Sequence, residues 1–430
     1  MKAPPGWRSV RLRYLCEINP AARRIAGPIA FVPMDCVGVL GDIRFGQVLE
    51  QGDASAGLSY FEENDVIVAK ITPCFENGKC ALAANVPGGR ALGSTEFHVI
   101  RPSSAVFPRF LFYVCVSNAF REPGEAQMYG AAGQKRVPTD FVKDFSLSLP
   151  ERSEQQRIVE FLDRETLQID SLLKKKQRLI ELLDEKRAAL IGRAVTKGLN
   201  PAVPMKDSGI IWLGNIPVHW KVARLKYAAR LRTGHTPSRI VPEYWENCTI
   251  PWVSLADVHR FRDGLHDRVF DTKEKISRLG LANSAACLLP AGTVIFSRTA
   301  SVGFSAILGH DMATTQDFVN WTCGPSLIPE YLLYCFRAMA SYLRALTMGS
   351  THQTIYMPDV EGFTVPVPPV SEQQAIAVHV LNRRDDLAKL VAAIREQINK
   401  LWAYRSALIT GAVTGQLDIR EHEKKMEALV

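Results

Sequence analysis

The chain carries an internal repeat, which limits its possible folds more than any other feature of the sequence. Residues 142–199 align without a gap with residues 360–417, and roughly a third of the aligned positions are identical. Both segments contain Ser-Glu-Gln-Gln, at 153–156 and at 371–374. Weaker similarities precede each segment. The chain therefore consists of two units, each a diverged globular part of about 150 residues followed by a preserved segment of about 45.

The two preserved segments have the pattern of long helices. Ser153 and Ser371 are the predicted N-caps, each with a Gln three residues later that could complete a capping box. Apolar residues then recur at alternating spacings of four and three, which is typical of a coiled-coil seam. Lys176 is a polar residue on this seam. The other predicted seam residues are Ile158, Leu162, Ile169, Leu172, Leu179, Leu183, Leu190, Ile376, Val380, Leu387, Leu390, Ile394, Leu401 and Leu408.

The length of these helices predicts how they pack. A helix of about 43 residues is about 65 Å long, which is too long to wrap within one small domain. The linker of about 20 residues could join parallel helices only if it were nearly fully extended. We therefore expect an antiparallel intramolecular coiled coil with one globular part at each end and a pseudo-twofold axis. Packing of each helix on its own globular part is the alternative.

The globular parts alternate short apolar runs with turn residues, as in 65–71 and 293–298, and contain a few helical stretches. This pattern predicts mixed α/β domains in which strands dominate, so the expected fold class is α+β. The predicted divisions are a first globular domain at 1–150, a helix at 151–199, a linker at 200–218, a second globular domain at 219–370, a helix at 371–417 and a C-terminal tail at 418–430.

Composition indicates an ordinary globular protein. Hydrophobic residues make up 47% of the chain and charged residues 22%, unlike a disordered chain. The sequence has no apolar run long enough for a membrane span and no secretion signal at its start, so a cytoplasmic location is expected. The nine cysteines form no CxxC pair and are interpreted as reduced thiols. A net charge of +8, spread along the chain, suggests a polyanionic partner only weakly.

Several catalytic signatures are missing from the sequence. Asn19-Pro20-Ala21 lacks the second proline and the aromatic residue that an adenine methyltransferase motif needs, and no GxxxxGK[ST] phosphate loop occurs. The histidines form no HExxH pair, and no convincing nuclease carboxylate pair stands out. Binding rather than catalysis is therefore the expected activity, with no metal site in this chain.

The preserved segments and their surroundings resemble the specificity subunit of type I restriction-modification systems. The resemblance covers essentially the whole chain and is carried by PERSEQQRIVEFLD (150–163), PPVSEQQAIAVHV (368–380) and the linker SGIIWLGNIPVHW (208–220). It implies that each globular part is a target recognition domain, and that the helices form a conserved spacer. It also implies that the chain reads a bipartite DNA target, with two half-sites separated by unread bases.

The resemblance further implies a set of partners. These are double-stranded DNA, two modification subunits that transfer methyl groups, and restriction subunits. S-adenosylmethionine, ATP and magnesium are then expected on the partner subunits, with no cofactor and no catalytic residue in this chain.

Base reading requires hydrogen-bonding or basic side chains on exposed loops. Lys70 and Arg298 end equivalent strands, and residues 133–136 and 350–353 occupy similar places before each helix. The predicted DNA-contacting residues are Lys70, Thr72, Asn77, Lys79, Gln134, Lys135, Arg136, Arg232, Thr236, Ser238, Arg239, Arg298, Thr299, His352 and Gln353.

Two other functions stay open on the sequence alone. One is a scaffold that displays two protein-binding domains on a coiled coil and does not contact DNA. The other is a solitary nuclease whose scattered carboxylates a single sequence does not reveal.

Overall fold

The computed structural model describes residues 5–21, 27–50, 57–131, 133–347 and 353–422. They divide into two compact units. The first takes its residues from 1–177 and 395–430, and the second from 178–394. Two long helices each contribute to both units, α4 (Arg152–Lys197) and α9 (Val370–Thr414).

The described residues of the first unit form two four-stranded sheets and a two-stranded ribbon. Their shorter α-helices are α1 (Pro108–Val116), α2 (Asn118–Ala126) and α3 (Thr139–Asp144). The strands are β1 (Arg8–Arg11), β2 (Cys16–Ile18), β3 (Ile29–Val32), β4 (Gln47–Leu49), β5 (Ser59–Glu62), β6 (Val66–Ala69), β7 (Cys80–Leu82), β8 (Arg90–Gly93), β9 (Phe97–Pro102) and β10 (Ser146–Leu149).

The second unit has the same kinds of element. Its shorter helices are α5 (Arg278–Ala282), α6 (Pro329–Ala338), α7 (Ala340–Ala345) and α8 (Met357–Glu361). Its strands are β11 (Met205–Asp207), β12 (Asn215–Pro217), β13 (Lys221–Arg224), β14 (Ala229–Thr233), β15 (Ile250–Val253), β16 (Arg268–Val269), β17 (Glu274–Ile276), β18 (Val294–Ser297), β19 (Ser305–Leu308), β20 (Ala313–Thr314), β21 (Phe318–Cys323) and β22 (Thr364–Val367).

Strand order repeats between the two units. The central sheet runs β2-β9-β6-β7 in the first unit and β14-β21-β18-β19-β16 in the second. A second sheet, β4-β3-β8-β5 or β17-β15-β20, contains one parallel pair in each unit. A ribbon, β1-β10 or β13-β22, leads into the long helix. The mixed α/β globular parts predicted from the sequence are therefore confirmed, and so is the duplication.

Apolar sequence runs explain the core of each unit. In α1 every residue from Phe110 to Val116 is buried, and the helix packs with β6 and β7 in a core that also takes in Ile158 and Leu162 of α4. The corresponding core of the second unit joins α6 to Ile376 and Val380 of α9. The first turns of each long helix thus pack in the core of the globular part that precedes the helix in the chain.

The two long helices pair antiparallel within the first unit. The Arg405 guanidinium binds both carboxylate oxygens of Asp170, at 2.8 and 3.2 Å. Further along, the Lys176 ammonium donates to the amide oxygen of Gln397 at 2.6 Å. The residue numbers of the contacting side chains rise along α4 from 170 to 176 and fall along α9 from 405 to 397, so the two helices run antiparallel.

The predicted seam is wrong at three positions. Leu172, Leu179 and Leu390 are 41, 43 and 47% exposed. Their neighbours Leu173 and Ile180 are each 5% exposed. On α4 a strict seven-residue spacing explains the shift from Leu172 and Leu179 to Leu173 and Ile180. One row is Thr166, Leu173, Ile180 and Arg187, and the other is Leu162, Ile169, Lys176 and Leu183.

The long helices also begin one residue before the predicted N-caps, so Ser153 and Ser371 lie inside the first turn. The Ser-Glu-Gln-Gln segments have a different role, in which the first Gln of each is buried. Gln155 accepts from the backbone N–H of Phe107 and donates to the carbonyls of Ala105 and Pro150. Gln373 makes the equivalent three bonds, with Ile328, Ser326 and Pro368.

Candidate nucleic-acid interface

The candidate residues of the first unit lie together at one end of the strands of its central sheet. The loop between β6 and β7 lies beside the segment 134–137. The backbone N–H of Thr72 donates to the carbonyl of Lys135 at 3.0 Å, and the N–H of Val137 donates to the carbonyl of Lys70 at 2.8 Å. The structure therefore brings together two segments more than 60 residues apart in the sequence. We call residues 70–79 and 133–137 the first edge.

Some candidate side chains on the first edge already have protein partners. Arg136 forms a two-point ion pair with Glu96, at 2.6 to 3.2 Å, and this bond lowers the pKa of the Glu96 carboxyl. Lys79 donates to the carbonyl of Met34 at 2.9 Å. The Thr72 hydroxyl lies 3.4 Å from a carboxylate oxygen of Glu76. These contacts shape the edge and leave the side chains less available to a ligand.

Four candidates on the first edge make no side-chain hydrogen bond or ion pair with another described residue: Lys70, Asn77, Gln134 and Lys135. Asn77, Gln134 and Lys135 are exposed, and Lys70 is half-buried at the end of β6. Amide and ammonium groups of this kind can donate to base edges and to phosphate oxygens.

A buried histidine supports the first edge from beneath. Nε2 of His98 donates to the carbonyl oxygen of Val137 at 2.9 Å, and the residue is only 2% exposed. Burial lowers the pKa of His98 to about 4, so the imidazole is neutral at pH 7. The neutral tautomer with its proton on Nε2 is the one that makes this bond.

Arg298 organises the equivalent edge of the second unit. Its Nε lies 3.2 Å from the carbonyl oxygen of Gln316, and its Nη1 lies 3.4 Å from that of Ile355. The backbone N–H of Ala300 donates to the carbonyl of Gln353, and Thr299 bridges to Thr354. We call residues 298–300 and 353–355, with the segment 232–239 of β14 and its loop, the second edge.

Residues 232–239 contribute further polar groups. The Thr236 hydroxyl donates to the amide oxygen of Gln316 at 2.7 Å. Arg239 pairs with Glu274 at 2.8 Å and stacks over the ring of Trp245, with the guanidinium 4.2 Å from the ring centroid. The carbonyl of Ser238 accepts from the Trp245 indole.

Arg232 and Gln353 make no side-chain hydrogen bond or ion pair with another described residue. Arg232 is half-buried on β14, and Gln353 is exposed. His352 lies outside the described residues. Ser238, which is exposed, and Thr299, which is half-buried, also make no side-chain hydrogen bond with another described residue. On the second edge, Arg232, Ser238, Thr299 and Gln353 are thus the candidate side chains open to a ligand.

The two edges share a backbone frame. Lys70 donates its N–H to Glu96 and accepts from Val137, and Arg298 donates to Asp317 and accepts from Ile355. Lys70 and Arg298 are therefore equivalent, as the sequence predicted. Val137 and Ile355 are equivalent as well, which aligns Lys135 with Gln353 and corrects the proposed alignment of 133–136 with 350–353 by one residue.

Sequence reasoning missed the acceptors that hold the edges in place. Glu96 and Gln316 are essential to the geometry of Arg136, Thr236 and Arg298, yet neither residue belongs to a motif. It also missed two exposed tyrosines, Tyr129 and Tyr356, at 66 and 57% exposure. Tyr129 exchanges backbone hydrogen bonds with Arg136, and Tyr356 directly follows Ile355. Aromatic residues next to basic loops are the signal that could have identified these two.

The edges offer hydrogen-bond donors, positive charge and exposed aromatic rings, which suit a polyanion with base edges. No group of three or more His, Cys, Asp or Glu residues in the described part of the chain could hold a metal ion. No described helix is both long enough and apolar enough to cross a membrane.

Comparison with known families agrees with this arrangement. A family model described as the type I restriction modification DNA specificity domain matches residues 5–182 and 217–400. The two matches include both globular parts and cover most of the chain, so the chain belongs to this family.

Individual relatives come from bacteria and archaea. The chain is 37% identical over 160 residues to the type I restriction enzyme EcoEI specificity subunit of Escherichia coli, a match that spans 36% of this chain and 27% of that protein. It is 23% identical over 370 residues to the putative MjaX specificity subunit of Methanocaldococcus jannaschii, spanning 83% of this chain and 79% of that protein. The chain thus spans only about a quarter of the length of the EcoEI relative.

Two solved structures share the fold. A chain from a study of complex assembly and conformational transition of the type I R-M system superposes with a TM-score of 0.74 at 22% identity, covering 97% of this chain and 100% of that one. The HsdS subunit from Thermoanaerobacter tengcongensis superposes with a TM-score of 0.51 at 21% identity, covering 97% and 99%. At these identities the likeness concerns the fold.

Proposed function

We propose that this chain is the DNA-reading specificity subunit of a type I restriction-modification complex and that each unit reads one half of a split target. The observation that carries the proposal is the pair of edges on a shared backbone frame. The frame repeats, while the side chains available to a ligand differ, with Gln134 and Lys135 on one edge and Arg232 and Gln353 on the other. Two similar frames with different donors are what two different half-sites require.

The chemistry of the edges supports DNA over a protein ligand. Amide groups such as Gln134 and Gln353 can make two hydrogen bonds with adenine, and Lys or Arg can contact guanine or phosphate. The non-DNA scaffold and the solitary nuclease gain no support from any contact among the described residues. Both remain outcomes of the tests that follow.

The proposal assigns methyl transfer and DNA cleavage to partner subunits, and this chain acts as a non-catalytic reader. S-adenosylmethionine, ATP and magnesium then belong to the modification and restriction subunits. The names of the relatives support these partners, and the number of modification subunits is proposed to be two, one for each unit. The proposed location is the cytoplasm, where DNA and these partners meet.

Mapping of methylated adenines in a genome that carries this chain and its partners tests the proposal directly. We expect a split motif of two short half-sites separated by unread bases. A continuous motif, or assembly with methylation that has no sequence preference, would contradict it. DNA cleavage by the isolated chain with a divalent cation would favour the nuclease instead.

Paired variants can assign each half-site to its unit. Gln134→Ala in the first unit is expected to change the preferred bases of one half-site and leave the other intact. Gln353→Ala in the second unit is the matched control and should affect only the other half-site. Both variants change exposed side chains, so the stability of the fold should stay the same.

A further inference from the structure

A short basic turn occurs once in each unit, away from the edges described above. We call residues 11–14 (Arg-Leu-Arg-Tyr) and 224–227 (Arg-Leu-Lys-Tyr) the basic turns. In both, the leucine is fully buried and its backbone N–H donates to a carbonyl just before the last strand of the globular part, that of Phe145 or Phe363. The turn therefore has the same local structure in both units.

The side chains that the two basic turns share are exposed. Tyr14 is 72% exposed and Tyr227 is 77% exposed. The two basic residues of each turn are exposed as well, and the preceding ribbon strand begins with another exposed cation, Arg8 or Lys221. Packing explains why the leucine is retained in both units, but it does not explain a large exposed tyrosine that follows three exposed cations in the sequence.

Retention in both units limits what the basic turns can bind. The two edges have diverged in their available side chains, as expected if they meet different bases. A surface that is kept in both units must meet something that is the same for both. That leaves either the DNA backbone or a protein that binds each unit once.

The sheet geometry decides between these two partners. In the first unit the carbonyl of Glu96 accepts from the N–H of Lys70 on the first edge, and the N–H of Ser103 donates to the carbonyl of Leu15, the residue after the turn. Glu96 and Ser103 lie at opposite ends of β9 and are seven residues apart, which is about 23 Å at about 3.3 Å per residue. In the second unit Asp317 and Gly324 give the same separation between Arg298 and Ala228. In each unit the basic turn thus lies at one end of the central strands, and the first or second edge lies at the other end. DNA bound to the first or second edge would therefore be away from the basic turn.

We propose that each basic turn is a docking surface for an acidic patch on the modification subunit. The inference rests on the proposed function and names the surface that the partner would use. Exposed tyrosine and arginine are the residue types most enriched among strongly contributing interface residues. The ribbon continues directly into the long helix, so a partner held here would be positioned beside the spacer.

The charges on the two turns are not equal. Arg11 and Arg13 both contact Asp144, at 3.4 and 2.5 Å, which neutralises part of the first turn. The second turn has Gly362 at the position equivalent to Asp144. Its residues Arg224 and Lys226 form no ion pair with a described residue. Binding at the second turn should therefore depend more strongly on salt.

The test uses the full chain and the modification subunit of the same system. Native mass spectrometry counts the modification subunits bound per chain, and titration calorimetry gives their affinity. We expect Tyr14→Ala with Tyr227→Ala to weaken binding about tenfold or more at both sites. Each single variant should weaken one site only. Arg224→Glu with Lys226→Glu should weaken the second site further and remove its salt dependence.

Tyr129→Ala is the matched control, because Tyr129 is 66% exposed but lies next to the first edge. It should leave binding of the modification subunit unchanged. The inference is overturned if the double tyrosine variant and the charge-reversal variant both bind the modification subunit as well as the unaltered chain. It is also overturned if they assemble normally but bind every duplex more weakly, because the turns would then contact DNA phosphates. Failure of the unaltered chain to bind any modification subunit would instead refute the proposed function itself.

Discussion

Replacement of Gln155 by alanine should weaken the attachment of the first globular part to its long helix and so lower the free energy of unfolding. The Gln155 side chain is 1% exposed and makes three hydrogen bonds, at 2.7 Å to the N–H of Phe107 and at 3.1 and 3.0 Å to the carbonyls of Ala105 and Pro150. Each such bond contributes about 1 kcal/mol net, and a buried group left unpaired costs about 1–3 kcal/mol. We therefore expect Gln155→Ala to lower the free energy of unfolding of the first unit by about 3–5 kcal/mol.

Gln156 provides a control in the adjacent position. Its side chain is exposed and bonds only to Glu160, one turn further along α4. Gln156→Ala should change the free energy of unfolding by no more than about 0.5 kcal/mol. Urea denaturation followed by circular dichroism measures both variants, and hydrogen exchange at the amide of Phe107 reports the local effect. Equal destabilisation by the two variants would refute the proposed role of the buried amide.

Three further predictions concern the seam, the pH dependence and DNA binding. Leu173→Ala should destabilise the chain by about 2–5 kcal/mol in urea denaturation, whereas Leu172→Ala, at an exposed position, should cost about 1 kcal/mol or less; the reverse order would restore the seam predicted from the sequence. The pKa of His98 is about 4 in the fold and about 6.5 when unfolded, so its contribution to stability is complete above pH 6.5 and is lost as the pH falls to 4. His98→Gln should flatten that part of a stability-against-pH curve, and an unchanged curve would contradict the assignment. Lys135→Ala should weaken binding to cognate and scrambled duplexes equally and reduce the dependence of log K on log salt by about one, as fluorescence anisotropy would measure; selective loss of cognate binding would instead make Lys135 a base reader.

The sequence predicted the elements of the fold and their duplication because periodicity and repetition are local signals. It misplaced part of the seam because leucines occur in adjacent pairs, such as Leu172-Leu173 and Leu182-Leu183. Either member of a pair continues an apolar pattern. The correct rows contain the polar residues Thr166 and Arg187, which an apolar pattern does not detect. Spacing in strict sevens identifies them only after the burial of each side chain is known.

The equivalence of Lys70 and Arg298 was predictable from the sequence, but the contacts of the candidate residues were not. The ends of equivalent strands located Lys70 and Arg298 correctly relative to each other. No pattern in the sequence indicated that the Arg298 guanidinium binds two backbone carbonyls, or that Arg136 pairs with Glu96. These contacts join residues far apart in the chain, and only the folded backbone brings them together.

The hydrogen-bond frame is also compatible with the proposal that two such similar units read different sequences. The number of residues between the hydrogen-bonded positions at the two ends of the central sheet is the same in both units. Seven residues separate Glu96 from Ser103, and seven separate Asp317 from Gly324. The connections that lead into this strand differ in length, since the segment from Lys70 to Glu96 is seven residues longer than that from Arg298 to Asp317. Because the frame consists of backbone N–H and carbonyl groups, substitutions of exposed edge side chains such as Gln134 and Gln353 should leave it intact. The side chains that we propose to contact DNA can therefore change without disturbing the buried glutamine contacts between each globular part and the start of its long helix.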